Sequence, residues 1–209
     1  MARFLVVLDV DSTLVEDEII ELLAEEAGTR DAVADVTFRA MNGELDFTDS
    51  LRERVATLAG LDAAAIERVR SRVRVTRGVP ELVAGVHAAG GRIAVVSGGF
   101  HEVIDPLAEH LRLDRWRANR LEVAGGRLTG AVIPPVVDAA AKADALRDWA
   151  DEAGIPLAQT VAVGDGANDL AMMAACGLSV GFDAKAPVRD VADVLLDERD
   201  LSRLLVVLS

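Results

Sequence analysis

Three short apolar runs in this chain each break off at a polar cluster. Arg3 to Leu8 stops at Asp9-Val10-Asp11-Ser12-Thr13, Arg92 to Val96 at Ser97-Gly98-Gly99, and Thr160 to Val163 at Gly164-Asp165-Gly166. A brief, continuous apolar run fits a strand covered on both faces, as in a parallel sheet. Gly177 to Phe182 and Ala192 to Leu196 add two more candidate strands. Helical patterns over about 79–89, 101–111, 139–153 and 168–175 lie between the runs. Such alternation predicts an α/β fold on a parallel sheet. Ligands of open parallel sheets sit at the carboxyl ends of the strands. The three clusters are therefore predicted to converge on one site although they are far apart in the chain.

Two stretches depart from the alternation. From about 15 to 76 there are only helical patterns, at about 18–27, 31–41, 46–59 and 62–74, which predicts a small helical-bundle cap inserted after the first strand. Val15 and Thr76-Arg77-Gly78 are its candidate hinges. Arg120 to Gly130 alternates around Gly125-Gly126 and reads as a short β-hairpin. The expected division is 1–14 and 77–209 for the α/β core and 15–76 for the cap, within a length of 209 residues that suits one domain carrying an insertion.

Composition narrows the function. The net charge is 22 − 35 = −13, which argues against nucleic acid or an anionic membrane as the main partner. No apolar run approaches a membrane span of roughly 18–20 residues, and the first run stops too soon for a signal peptide. A cytoplasmic protein is expected. The single cysteine, Cys176, excludes an internal disulfide framework, and three scattered histidines form no zinc pattern. An anionic substrate would need local positive charge. Only Lys142 and Lys185 among the 22 basic residues are lysines, so each draws notice.

Asp9 and Asp11 point the same way if strand geometry persists past Leu8. Adjacent buried carboxylates repel, and a divalent cation relieves the repulsion; the competing reading is a turn or helix cap. Asp165, Asn168 and Asp169 form a second acidic cluster whose glycines let backbone and ligand approach. Asn168 as an N-cap and Asp169 as a helix-start acid are the ordinary alternatives. Oxygen donors without nearby His or Cys suit Mg²⁺ rather than zinc. Ser97-Gly98-Gly99, read as a loop leading into a helix, offers a hydroxyl and free amides to an anion. Lys142, early in its helix, would cover a solvated face if taken alone, but a phosphate needs such a point charge. On the 46–59 helix Phe47, Leu51, Val55 and Leu58 form an apolar stripe; Arg54 falls near it and Arg52 points away. An arginine so placed wants a carboxylate, from a ligand or from the protein itself. Arg68, Arg70, Arg72 and Arg74 are expected to solvate the outside of the cap.

Asp9-Val10-Asp11-Ser12-Thr13-Leu14, Ser97-Gly98-Gly99, Lys142 and Gly164-Asp165-Gly166-Ala167-Asn168-Asp169 occur in the order of the four motifs of the haloacid dehalogenase-like phosphatases. Over nearly its whole length the chain resembles the phosphoserine phosphatases of that superfamily, through Asn42 to Arg54 and Ala118-Asn119-Arg120-Leu121 as well. The resemblance implies a Rossmann-like core and a Mg²⁺-dependent route through an aspartyl-phosphate. Asp9 is then the nucleophile and Asp11 the general acid and base. Asp9, the Asp11 carbonyl and Asp165 hold the metal, and Asp169 orients the metal's surroundings or Lys142. Ser97, Gly98 and Lys142 hold the phosphate, with Asn168 also on the substrate. Glu18 takes the substrate ammonium and Arg54 its carboxylate; from the residues alone Glu16, Asp17 and Glu21 compete with Glu18. Met41 and Phe47 match positions that line the family's pocket, or else pack the cap. Some members carry a regulatory domain ahead of the first strand, and none is expected here.

The substrate expected is a small molecule, O-phosphoserine, with no nucleic acid or membrane partner; the oligomeric state is left open. Another small phosphate such as phosphohomoserine or phosphothreonine, or phosphoryl transfer to an alcohol, is the nearest alternative. A receiver-like domain with a phosphorylatable Asp is the non-enzyme alternative; such domains are shorter and lack a helical insertion after the first strand.

Overall fold

The computed structural model describes residues 2–41 and 44–208, with the side chains of Ala40 and Met41 left aside. A seven-stranded sheet forms its centre, in the order β4-β3-β2-β1-β5-β6-β7. The strands are β1 (Leu5–Leu8), β2 (Arg92–Phe100), β3 (Arg115–Ala124), β4 (Arg127–Ile133), β5 (Thr160–Gly164), β6 (Leu178–Phe182) and β7 (Val194–Leu196). All neighbours pair in parallel except β3 with β4. Alternation along β1 divides the core into two layers. Val6 and Leu8 face one cluster with Ile93, Val95, Val161 and Val163; Leu5 and Val7 face the other with Ala94, Val96 and Ala162.

Helices α1 (Ile19–Ala27), α2 (Arg30–Met41), α3 (Phe47–Ala56) and α4 (Ala64–Arg70) lie between β1 and α5 (Val79–Ala88). Then come α6 (His101–Leu111), α7 (Ala139–Ala153), α8 (Leu170–Ala175) and α9 (Ala186–Arg189). Local chemistry starts several of them. Asp46 caps α3 by accepting from Asp49 N (2.8 Å), and Asp138 caps α7 by accepting from Ala141 N (2.9 Å).

Two expectations change and a third is extended. The 62–74 helix ends at Arg70, because the chain beyond it turns to meet the exit of β1: Val75 bridges Val15, and Thr76 Oγ1 donates to the Thr13 carbonyl (2.7 Å). The expected hairpin forms about Gly125-Gly126, with longer strands than the alternation suggests. β3 begins at Arg115, pairs with β2, and continues the sheet before turning into β4. Ser97-Gly98-Gly99 is no loop; β2 runs on through it to Phe100.

The helical segment is fastened at two further places. Gly60 N donates to the Leu128 carbonyl (2.8 Å), Leu128 N to Leu61 (2.9 Å) and Ala63 N to Gly126 (2.9 Å), tying the α3–α4 connection to the β3–β4 turn. Arg70 Nε donates to the Glu102 carbonyl (2.7 Å) at the start of α6. The arginine run expected to face solvent is exposed yet engaged: Arg68 and Arg72 pair with Glu26, Arg72 also with Glu25, and Arg74 with Asp17.

Candidate active site

The carboxyl edge of the sheet brings the three clusters together. β1 stops at Leu8, and the chain leaves it in a turn over Val10–Leu14 in which Ser12 takes φ 57°. This turn, not a continuing strand, sets the directions of Asp9 and Asp11. Asp9 Oδ1 accepts from Val10 N (2.7 Å) and lies 2.7 Å from Lys142 Nζ. Asp11 Oδ1 accepts from Ile19 N (2.7 Å), and its Oδ2 accepts from Ser97 Oγ (3.2 Å). Burial, with Glu18 and Asp9 adding negative charge, pushes the Asp11 carboxyl up to about 8. Asp11 therefore carries a proton at neutral pH.

β5 delivers the second cluster. Asp169 Oδ1 accepts from Lys142 Nζ (2.8 Å) and its Oδ2 from Gly166 N (3.2 Å). That approach needs a glycine at 164, where a Cβ would stand 2.2 Å from Asp169 Oδ2. Burial first, then Asp9, raises the Asp169 carboxyl to about 7 against the opposing pull of Lys142. Asp165 is also raised, by burial, with Lys185 opposing. Asn168 lies inside the short turn 167–169, and Gly166 takes the capping position.

Lys142 covers no solvated face. It is 0% exposed, and its ammonium bridges Asp9 and Asp169. Burial alone would discharge it; the two carboxylates more than offset this and hold it above the usual lysine range.

The segment 97–99 presents no free helix start, since α6 begins at His101. Ser97 Oγ accepts from Gly99 N (2.7 Å) while donating to Asp11. A Cβ on Gly99 would come within 2.9 Å of Asp11 Oδ2, so this strand end is shaped around the carboxylate. Asn119, quoted in the resemblance without a role, is buried on β3 and splints the segment. Its Nδ2 donates to the Gly98 carbonyl (2.8 Å) and its Oδ1 accepts from Val137 N (2.7 Å).

A cavity of about 810 Å³ opens between this edge and the helical segment. Of the predicted site residues, Asp9, Asp11, Glu18, Arg54, Gly98, Asp165 and Asn168 line it. Ser97, Lys142 and Asp169 stand behind that lining, buried. Glu18 Oε1 accepts from Ser12 Oγ (2.7 Å), and burial raises its carboxyl. Arg54 Nε donates to the Ser50 carbonyl (3.2 Å); among the described residues no carboxylate pairs with its guanidinium. Burial lowers its pKa while Glu18, Asp11 and Glu21 oppose the change. Arg52 points away, as expected, beside Asp49 (3.5 Å). Phe47 also lines the cavity, with its ring against Gly98; the side chain of Met41 lies outside the described residues. Lys185, singled out for rarity but given no task, reaches the same cavity with its Nζ 2.8 Å from Asp165 Oδ2.

Asp9, Asp165 and Asp169 each offer a carboxylate oxygen within 4.8 Å of the others. All three residues are buried, and burial holds Asp165 and Asp169 above the usual carboxylate range. A divalent cation would stabilise such crowding, and an all-oxygen donor set suits a hard one. The residues fit a metal ion.

The family model of the haloacid dehalogenase-like hydrolases matches residues 6–174. A phosphoserine phosphatase of Streptomyces coelicolor is 53% identical over 207 residues, 99% of this chain and 50% of the relative. The chain thus spans about half the length of that relative, and likewise of one from Mycobacterium tuberculosis. A Streptococcus thermophilus phosphoserine phosphatase is 48% identical, with 98% of this chain and 95% of the relative covered. A substrate-bound phosphoserine phosphatase complex superposes with a TM-score of 0.93 at 40% identity, covering 99% of both chains. Among the described residues no helix is long and apolar enough to cross a membrane.

Proposed function

Because this chain belongs to the phosphoserine phosphatase family of the haloacid dehalogenase-like hydrolases, we propose that it hydrolyses O-phospho-L-serine to serine and phosphate. The observation that carries the reading is the placement of Asp9, held by Lys142, beside Asp11 on the wall of one cavity; burial, which raises the Asp11 carboxyl, suits it to the role of acid. Asp9 attacks phosphorus, forming an aspartyl-phosphate as the bond to the seryl oxygen breaks. Asp11 gives its proton to that oxygen. It then takes a proton from the water that cleaves the aspartyl-phosphate, freeing phosphate and restoring Asp9. Opposite protonation of two neighbouring carboxyls is what this sequence of steps needs.

Asp9, the Asp11 carbonyl and Asp165 would hold Mg²⁺, with Asp169 steadying Lys142; the bound ion would neutralise charge on the phosphoryl oxygens. Ser97, the Gly98 amide and Lys142 hold those oxygens, and Asn168 supports them from the cavity wall. Such a fixed cradle is the main source of rate in phosphoryl transfer. Glu18 takes the substrate ammonium and Arg54 its carboxylate. The lone guanidinium supports that assignment, since a half-buried arginine without an acid is suited to an incoming one. Residues 15–76 act as a cap over the 1–14 and 77–209 core and close the site against water.

A side-by-side panel of phosphoserine, phosphothreonine, phosphohomoserine and sugar phosphates tests the reading. Phosphoserine should lead in kcat/KM. Preference for a sugar phosphate would refute the amino-acid specificity, and a long-lived phospho-form without phosphate release would refute the enzyme.

A further inference from the structure

The chain's two lysines hold different members of one carboxylate cluster, and in opposite ways. Lys142 is sealed in, 0% exposed, between Asp9 and Asp169. Lys185 reaches Asp165 from outside, with its side chain 55% exposed and Nζ 2.8 Å from Oδ2. Its backbone is fixed to the same loop, because Lys185 N donates to the Asp165 carbonyl (2.8 Å). The following residues turn at once into α9, which Lys185 caps and Pro187 helps to start in its first turn. The ammonium can therefore swing on its four-carbon stem while its anchor stays put. Arginine serves at 20 of the 22 basic positions, so a flexible stem with a compact charge marks this one out.

We infer that Lys185 is a tethered competitor for the metal: without a cation its ammonium occupies Asp165, and a divalent ion binds by displacing it into the cavity. The inference rests on the proposed metal site, in which Asp9 and Asp165 would hold the ion and Asp169 belongs to the same carboxylate cluster. With Lys142 alone, those three carboxylates would carry a net charge of 1 − 3 = −2. Lys185 halves that charge and stabilises the metal-free form. Displaced, it remains on the wall of the cavity, within electrostatic reach of Glu18. The consequence is a weaker metal affinity than the carboxylates alone would give.

Isothermal titration of Mg²⁺ into metal-stripped full-length protein tests this without any turnover. Lys185→Met should lower the Kd about tenfold, equivalent to about 1.4 kcal/mol. Lys185→Arg, which keeps the charge, should stay within about threefold of the parent. Arg189→Met removes a positive charge one turn further along, paired with Asp197 (2.5 Å), and controls for long-range charge. Equal Kd values for the parent and Lys185→Met, or equal gains from Lys185→Met and Arg189→Met, would overturn the inference while leaving the metal site standing. Absence of saturable Mg²⁺ binding in the parent and Lys185→Met alike would overturn both. Circular dichroism of each variant confirms that a changed Kd belongs to a folded protein.

Discussion

Arg54 lines the cavity from the helical side and Lys142 lies buried behind its sheet-edge wall, and the two are satisfied in opposite ways. The lysine, at the sheet edge, already has two carboxylates (2.7 and 2.8 Å) and no solvent. The arginine, on α3 across the cavity, has one backbone carbonyl and, among the described residues, no acid. The cation at the sheet edge has its acids within the chain, whereas the one on the helical side lacks an acid among the described residues. In the proposed function the first side performs chemistry common to the superfamily, and the second chooses the substrate.

Perturbing each side should expose the difference. Asp9→Asn should lower phosphate release from phosphoserine by at least about 10³-fold, measured as steady-state phosphate; turnover near the parent rate would remove the nucleophile from the account. Lys142→Met should cost about 3–5 kcal/mol of unfolding free energy, since it strands two buried carboxylates. Urea denaturation of the metal-free protein reads this, and a loss under about 1 kcal/mol would show that the edge does not depend on its lysine. Arg54→Ala should leave stability nearly intact yet reduce kcat/KM for phosphoserine roughly 10–100-fold. A phosphate ester without a carboxylate should lose far less, and equal losses on both would break the contrast.

Asp11→Asn has a definite pH signature. The folded chain keeps the Asp11 proton to about 8, whereas an unperturbed carboxyl releases it near 3.8. Ionisation of Asp11 therefore draws stability away as pH rises between those values. The metal-free variant should melt at the parent temperature below pH 4, exceed it increasingly toward pH 8, and keep a constant lead above that. A lead that shrinks with rising pH would contradict the assigned proton. Arg52→Ala, facing solvent, should change stability by less than about 0.5 kcal/mol and leave kcat/KM untouched.

The same contrast explains what could be read from the residues alone. The apolar runs up to Leu8, Val96 and Val163 announce strands locally, because such a run needs no knowledge of the rest of the chain. The continuation of β2 through Ser97-Gly98-Gly99 had no such signal. Those residues are turn formers by composition; they fill the irregular stretch of β2 between Val96, which pairs with Arg117, and Phe100, which pairs with Asn119 on β3. The short α4 has the same cause, since Val75 answers to Val15 rather than to the helical pattern preceding it. On the cap, periodicity was enough to aim Arg54 inward and Arg52 outward. It could not show that Arg54 lacks an acid, nor that Lys185 returns to Asp165, because both depend on how distant segments pack.

The central claim is that Asp9 itself captures the phosphoryl group. Mg²⁺-loaded protein mixed with O-phospho-L-serine, quenched in acid within one turnover and mapped by peptide mass spectrometry, tests it directly. One phosphoryl group should appear on Asp9 and decay as phosphate is released. Phosphate release with Asp9 unmodified throughout, or a phosphoryl group on any other residue, would contradict it.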